Sequence, residues 1–372
     1  MKLLYAFPEP LPLPRARGIQ ATNAVAALAL AGIDVDFCFV PSDLGDPFSQ
    51  YQGGKPDKVT LAPLSRSLAW PLQRVHSNRL FAARLAKKFD LGAQLIMVRH
   101  LKLAAWLANQ PNKPQFIYEA HEVFADTAPK TSIAARRNEE AAVMRAAAAV
   151  VANSAATANR LVSLYGQPKV LEVIPNGVFR PKSIPEKNWA DIASRIIYSG
   201  SLFPWKGAAD LVAAAAFLPG CKLEIVGGEP ERLAEVKAMA PSQGATIEFL
   251  GHLPHQQALE HVMGACIAVL PNRADTDSAY TSPIKLFEYM AAGCAIVASD
   301  LPPMREILAE DEAMWAQPGN AASIAEAIKS LIREPARAAR LGEIGREKSK
   351  QYTWQARAAK LCALMSKLGA AK

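Results

Sequence analysis

The residues best suited to chemistry lie in three segments. In Ser282-Pro283-Ile284-Lys285-Leu286-Phe287-Glu288-Tyr289-Met290-Ala291-Ala292-Gly293, Ser282 can cap a helix with Pro283 in its first turn. Ile284, Phe287 and Met290 or Ala291 then recur on one apolar face, and Gly293 ends the helix. A helix that opens after a loop presents free backbone N–H groups and a positive dipole end, which suits a diphosphate. Glu288, about a turn and a half in, could accept hydrogen bonds from ribose hydroxyls. The same pattern also fits a plain amphipathic helix with its Glu and Lys in solvent. In Tyr198-Ser199-Gly200-Ser201-Leu202-Phe203-Pro204-Trp205-Lys206-Gly207, a strand ends at Gly200. Lys206 follows at the mouth where open α/β sheets bind ligands, and its ammonium could neutralise a departing diphosphate or be an ordinary surface lysine. In Ile117-Tyr118-Glu119-Ala120-His121, a histidine follows a buried-type strand, as functional and merely structural histidines both do.

Two other signatures point away from chemistry. Asp275-Thr276-Asp277 reads as D-x-D, a metal-binding pattern that ordinary acidic loops also produce, and no catalytic metal is expected. Neither half carries a G-x-G-x-x-G turn directly after a strand, so hydride transfer on a dinucleotide is disfavoured.

The elements that position these residues alternate short β-rich apolar runs with helix-period segments, the pattern of parallel sheets covered by helices. The expected strands are 2–7, 34–40, 95–99, 116–119, 149–152 and 170–174 in the first half. In the second they are 195–199, 222–226, 247–250, 267–270 and 295–298. A chain of 372 residues exceeds the roughly 250–300 at which single cores stop growing. Two doubly wound domains follow, divided near residue 180, with 180–187 as a linker. At 51% apolar and 20% charged, the composition excludes disorder. No run approaches a membrane span, the N-terminus lacks a signal-peptide h-region, and the five scattered cysteines read as reduced thiols, which together favour the cytoplasm. Of the net +8 charge, residues 1–180 supply all, with 21 Lys and Arg against 13 Asp and Glu.

In order and spacing, these segments resemble glycosyltransferase family 4, the retaining GT-B enzymes. The loop with Gly18 resembles the family's phosphate-facing glycine loop, and "VVANSAATANRLVSLYG" and "VIPNGV" resemble the end of its N-terminal domain. "SGSLFPWKG", "LEIVGGEPE", "IEFLGHLP" and "SPIKLFEYMAAGCAIVASD" resemble the donor-binding domain, and "YTWQARAAKLCALM" resembles the closing helix, which implies an acceptor-side domain of 1–180, a donor domain of 181–354 and a segment 355–372 that crosses back to the first. The resemblance implies a nucleotide diphosphate sugar, UDP- or GDP-linked, in an interdomain cleft and no further cofactor. The base would lie near Gly251-His252-Leu253 and the ribose on Glu288. The diphosphate would lie among Gly18, Lys206, Lys285 and the helix that follows Ser282, with His121 positioning the sugar. Two positions depart from the family. Tyr280 replaces the first Glu of the E-x7-E motif, leaving the sugar hydroxyls to backbone or Thr281. Gly200-Ser201 replaces the common Gly-Arg, leaving Lys206 as the clear cation.

The implied activity is transfer of the sugar to a glycan, lipid-linked or small-molecule acceptor. A non-hydrolysing nucleotide-sugar epimerase of the same architecture and a non-catalytic nucleotide-sugar-binding protein are the alternatives. A nucleic-acid partner is not expected, because the basic half lacks any such module. Residues 64–106 hold eight basic side chains (Arg66, Arg74, Arg79, Arg84, Lys87, Lys88, Arg99, Lys102) and one acid, Asp90, interleaved with Leu68, Trp70, Leu72, Val75, Leu80, Phe81 and Leu85. That mixture fits either peripheral contact with the inner membrane leaflet or an amphipathic helix whose apolar face is core.

Overall fold

A computed structural model describes residues 2–13, 16–49, 51, 54–67, 77–89, 95–111, 114–275 and 283–370. The chain divides into two compact units, one of Met1–Gly177 with Trp354–Lys372 and one of Val178–Thr353.

The first unit is built on seven parallel strands: β1 (Lys2–Leu11), β2 (Asp34–Pro41), β3 (Val59–Pro63), β4 (Leu95–Val98), β5 (Phe116–Ala120), β6 (Ala149–Ala152) and β7 (Leu171–Val173), in the order β3-β2-β1-β4-β5-β6-β7. Every residue of β4, β5 and β6 is buried, which is why these strands read as unbroken apolar runs: both faces of a parallel sheet are covered. Strand order reverses between β1 and β4, so the open end of the sheet there is the place for a ligand. Tyr5, Phe37 and Phe48 pack edge to face, with ring centroids 5.8 and 6.2 Å apart. The helix Trp354–Ala370 belongs to this unit and buries Ala358, Leu361, Leu364 and Met365 in the same core. Its Arg357 is buried and paired with Glu119 on β5, which also accepts the Tyr5 hydroxyl at 2.9 Å.

The second unit has six parallel strands: β8 (Ile196–Ser199), β9 (Lys222–Val226), β10 (Thr246–Gly251), β11 (Ile267–Leu270), β12 (Ala295–Ser299) and β13 (Met314–Ala316), in the order β10-β9-β8-β11-β12-β13. Its reversal falls between β8 and β11, which puts the Lys206 loop at the switch point. The stretch expected as a linker is instead fastened to this unit. Arg346 donates to the carbonyls of Pro181 and Lys182, Arg180 donates to Ser349 Oγ at 3.2 Å, and the Lys187 ammonium donates to the carbonyls of Met263 and Ala265. Aperiodic sequence here reflects side-chain anchoring of an irregular backbone. Pattern reading missed β3 and β13, both edge strands. All five cysteines are free thiols.

Candidate functional site

In the second unit the end of β8 and the helix Ile284–Ala291 are joined through one hydroxyl. Ser199 N–H donates to Tyr289 Oη at 2.7 Å, and that hydroxyl donates to the Ser199 carbonyl at 3.2 Å. Lys285 and Glu288 therefore face the strand end. The Lys285 ammonium lies 2.8 Å from Glu288 Oε2 and 3.5 Å from Ser199 Oγ, and His255 Nε2 lies 3.0 Å from Glu288 Oε1. Glu288 is only 6% exposed. Burial pushes its carboxyl upward, but Lys285 and His255 outweigh that and hold it at about 2, so it is ionised at any physiological pH.

These contacts decide between the two readings of the helix: Glu288 does not face solvent. Phe287, Met290 and Ala291 are buried as the apolar face requires, Leu286 and Tyr289 are buried too, and Phe287 stacks on Tyr352 with centroids 4.5 Å apart. The helix starts at Ile284 with Pro283 just before it and stops at Gly293, whose φ of +67° favours glycine.

Lys206 closes the short 3₁₀ turn Pro204–Lys206, directly before the helix Ala208–Ala214. Its ammonium sits 4.0 Å above the Trp205 ring, and partial burial together with the Lys285 charge lowers it to about 8. The Lys285 ammonium beside an ionised carboxylate, with Lys206 in the loop that follows the same strand, is an arrangement suited to an anion next to a hydroxyl pair. Ser201 is exposed, and its carbonyl accepts the Tyr198 hydroxyl at 2.6 Å. His252 is exposed and Leu253 half-buried, in the turn between β10 and the helix His255–Gly264. Tyr280, Thr281, Ser282 and Asp277 lie outside the described residues, and Asp275 is exposed.

In the first unit His121 directly follows β5, and its carbonyl accepts the Asn153 amide at 2.9 Å. Burial, with Arg99 and Arg357 adding to it, lowers its pKa well below the usual value, so the imidazole is neutral. Gly18 is not in a loop, as expected, but in the first turn of the helix Ala16–Leu30. A Cβ there would meet the Leu13 carbonyl oxygen at 2.4 Å, so its missing side chain lets the chain after β1 fold back against the helix.

The model for glycosyl transferases group 1 matches residues 179–348, and the model for glycosyltransferase family 4 matches residues 18–179. The chain belongs to glycosyltransferase family 4. Alpha-maltose-1-phosphate synthase of Mycolicibacterium smegmatis is 29% identical over 177 residues, 43% of this glycosyltransferase-family chain and 44% of that protein. The chain spans about half the length of the curated relatives it matches. Among solved structures, sucrose-phosphate synthase from Thermosynechococcus elongatus superposes with a TM-score of 0.76 at 22% identity, covering 100% of both chains. HepE from Anabaena in complex with UDP gives 0.74 at 16%, covering 99% of this chain and 100% of that one. These likenesses show the GT-B fold, with its two Rossmann-like parallel-sheet domains.

Sequence reading missed His255 as the second partner of Glu288. It opens a helix 33 residues before Glu288, and no local spacing signals a contact made through packing.

Proposed function

We propose that this family 4 chain is a retaining glycosyltransferase that takes a sugar from a UDP- or GDP-sugar and passes it to a glycan, lipid-linked or small-molecule acceptor. The observation that carries this reading is the Lys206–Lys285–Glu288–His255 group at the end of β8. Support comes from the UDP held by HepE, whose fold this chain shares. In this reading Glu288 accepts from the ribose hydroxyls, and Lys206 and Lys285 meet the diphosphate. Ser201, His252 and Leu253 line the base and phosphate positions, and Tyr280, Thr281 and Ser282 complete the donor contacts. Breaking the glycosidic bond leaves an oxocarbenium-like sugar and an anionic diphosphate, and the lysines stabilise the second. The acceptor attacks on the leaving-group face, and a phosphate oxygen takes its proton, so no carboxylate nucleophile is required. On the first unit, His121 offers a sugar hydroxyl a neutral imidazole, and the helix start that holds Gly18 offers a phosphate its free N–H groups.

The deciding experiment is a thermal-shift screen against UDP-, GDP- and ADP-sugars, because a ligand bound only by the native state raises its stability by mass action. No shift with any donor would overturn the proposal. Product analysis with and without acceptor separates transfer from epimerisation, and binding without turnover would identify a sensor.

Two expected outcomes follow for the site. Glu288→Ala lowers kcat/KM on the order of 100-fold and retains the fold, because His255 and Lys285, 44% and 31% exposed, reach water once unpaired. Near-normal turnover in this variant would show that Glu288 lies outside the site. Treatment with EDTA leaves turnover unchanged, since Lys206 and Lys285 carry the positive charge the diphosphate needs. Complete loss restored by Mg²⁺ or Mn²⁺ would assign that charge to a metal.

For the membrane, the helix Asn78–Phe89 bears on the basic segment 64–106. Phe81 and Leu85 are fully buried in the helix Asn78–Phe89, Arg84 donates to the Ser65 and Ser67 carbonyls, and Lys88 pairs with Asp36 at 2.8 Å. Leu68, Trp70, Leu72, Arg74, Val75 and Asp90 lie outside the described residues. Arg79 and Lys87 are exposed along one side of the helix, and they support a purely electrostatic contact with an anionic leaflet, at about 1 kcal/mol per side chain. Co-sedimentation with anionic vesicles is therefore expected at low salt, to fade at physiological salt, and to vanish in Arg79→Glu/Lys87→Glu. Binding that ignores this charge reversal would rule the contact out.

A further inference from the structure

The Lys206 loop carries little structure of its own. Its one regular element is the single 3₁₀ turn Pro204–Lys206, a geometry with weak internal hydrogen bonds. Three ties fasten it to the chain that leaves β11. Arg273 N–H donates to the Trp205 carbonyl at 2.9 Å. Gly207, at a φ of +70°, passes so close to Pro271 that a Cβ would come within 1.8 Å of the Pro271 carbonyl oxygen. The Arg273 guanidinium grips the Asp210 carboxylate with two bonds, Nε to Oδ2 and Nη2 to Oδ1, both 2.6 Å.

The third tie is unlike a surface ion pair. Asp210 is 7% exposed in the first turn of the helix that follows Gly207, whereas the Arg273 side chain is about half exposed at 47%. A two-bond fork fixes angle as well as distance, which an apolar contact at the same place would not do. It holds both ends of the turn, since Arg273 bonds Trp205 through its backbone and Asp210 through its side chain. The residue between those anchors that carries a charge is Lys206.

We propose that Arg273 and Asp210 are positioning residues for Lys206, locking its loop to the end of β11 so that the ammonium stays over the Trp205 ring, 4.0 Å from its centroid, before any donor arrives. The proposal rests on the reading of Lys206 as a diphosphate-binding cation. Were the pair only a stabilising clamp, its loss would lower the melting temperature and leave the Lys206 ammonium where it is.

The test follows Lys206 directly, without a ligand. In the full chain with ¹³C-methylated lysines, the resonance that disappears in Lys206→Arg is tracked by NMR against pH. Lys206 is expected to titrate near 8 in the wild type and about one pH unit or more higher in Arg273→Gln, towards an ordinary lysine. Asp210→Asn should move it the same way by less. In parallel, UDP binding by calorimetry at neutral pH, where Lys206 is charged in both proteins, should weaken in Arg273→Gln because the ammonium keeps its charge but is no longer held in place. An ordinary Lys206 titration in the wild type, or no movement in either variant while both remain folded by circular dichroism, would overturn the proposal. If the wild type binds neither UDP nor GDP, the donor reading fails on its own, and the titration still decides whether the pair positions Lys206.

Discussion

In Lys206→Ala, kcat/KM falls on the order of 100-fold or more while the melting temperature holds or rises. The two halves of this expectation have one cause. Partial burial and the Lys285 charge lower the Lys206 ammonium from 10.5 to about 8, so the folded protein holds this proton less tightly than the unfolded chain. Between those two values the unfolded state binds more protons and stability rises with pH; below about 8 the native state bears the cost of the charge in full. Alanine removes that cost, and with it the cation that a departing diphosphate needs. Donor affinity has the opposite dependence on pH. The diphosphate prefers the charged lysine, so affinity is full below about 8 and falls as Lys206 loses its proton above it. Lys206→Arg keeps its charge at every accessible pH and should abolish the alkaline loss. UDP titrations across that range, alongside thermal melts, test both halves. A binding curve flat through alkaline pH in the wild type, or normal turnover in Lys206→Ala, would remove Lys206 from the mechanism.

Arg357→Ala is expected to destabilise the first unit by about 3–5 kcal/mol, the usual consequence of stranding one member of a buried ion pair. The Arg357 and Glu119 side chains are 5% and 3% exposed. Besides Glu119, Arg357 donates to the carbonyls of Ile174 at 2.6 Å and Pro175 at 2.7 Å. Alanine leaves two carbonyls without this donor and a buried carboxylate whose remaining side-chain partner among the described residues is the Tyr5 hydroxyl. Burial and the Glu119 charge push the Tyr5 phenol well above its ordinary value, so it remains a proton donor. Replacing both members, Glu119→Gln with Arg357→Met, should recover part of the loss, because no charge is then stranded. Urea unfolding followed by hydrogen exchange in each unit measures the effect. A loss below about 1 kcal/mol would mean that water reaches the pair. Glu119 lies two residues before His121, so the same variant should also loosen the backbone that carries the imidazole.

The parts of this architecture legible in the sequence were those written in local periodicity. The buried strands β4, β5, β6, β11 and β12 appear as short apolar runs because helices cover both faces. The edge strands β3 and β13 escaped because a half-exposed edge needs no such run; β3 buries only Val59 and Ala62 and ends on Pro63. Lys206 and Glu288 could be singled out from punctuation, a strand end and a helix start. Their partners could not. His255 reaches Glu288 across 33 residues, Arg273 reaches Asp210 across 63, and Arg357 reaches Glu119 across 238. Each of these contacts is made by folding and leaves no spacing rule behind. Gly18 shows the reverse error, since a glycine suggests a loop, and here it marks a close approach inside a helix.

The return of Trp354–Ala370 to the first unit sets an order for biosynthesis. On the ribosome, residues 2–177 emerge long before the helix that supplies Leu361, Leu364 and Met365 to their core and Arg357 to Glu119. Until then the nascent first unit holds an uncovered apolar face and an unpaired buried acid. Val178–Thr353 is one continuous stretch and meets all its own partners as soon as it leaves the tunnel. The part translated second is thus the first able to finish folding, and the part translated first must wait for the helix Trp354–Ala370.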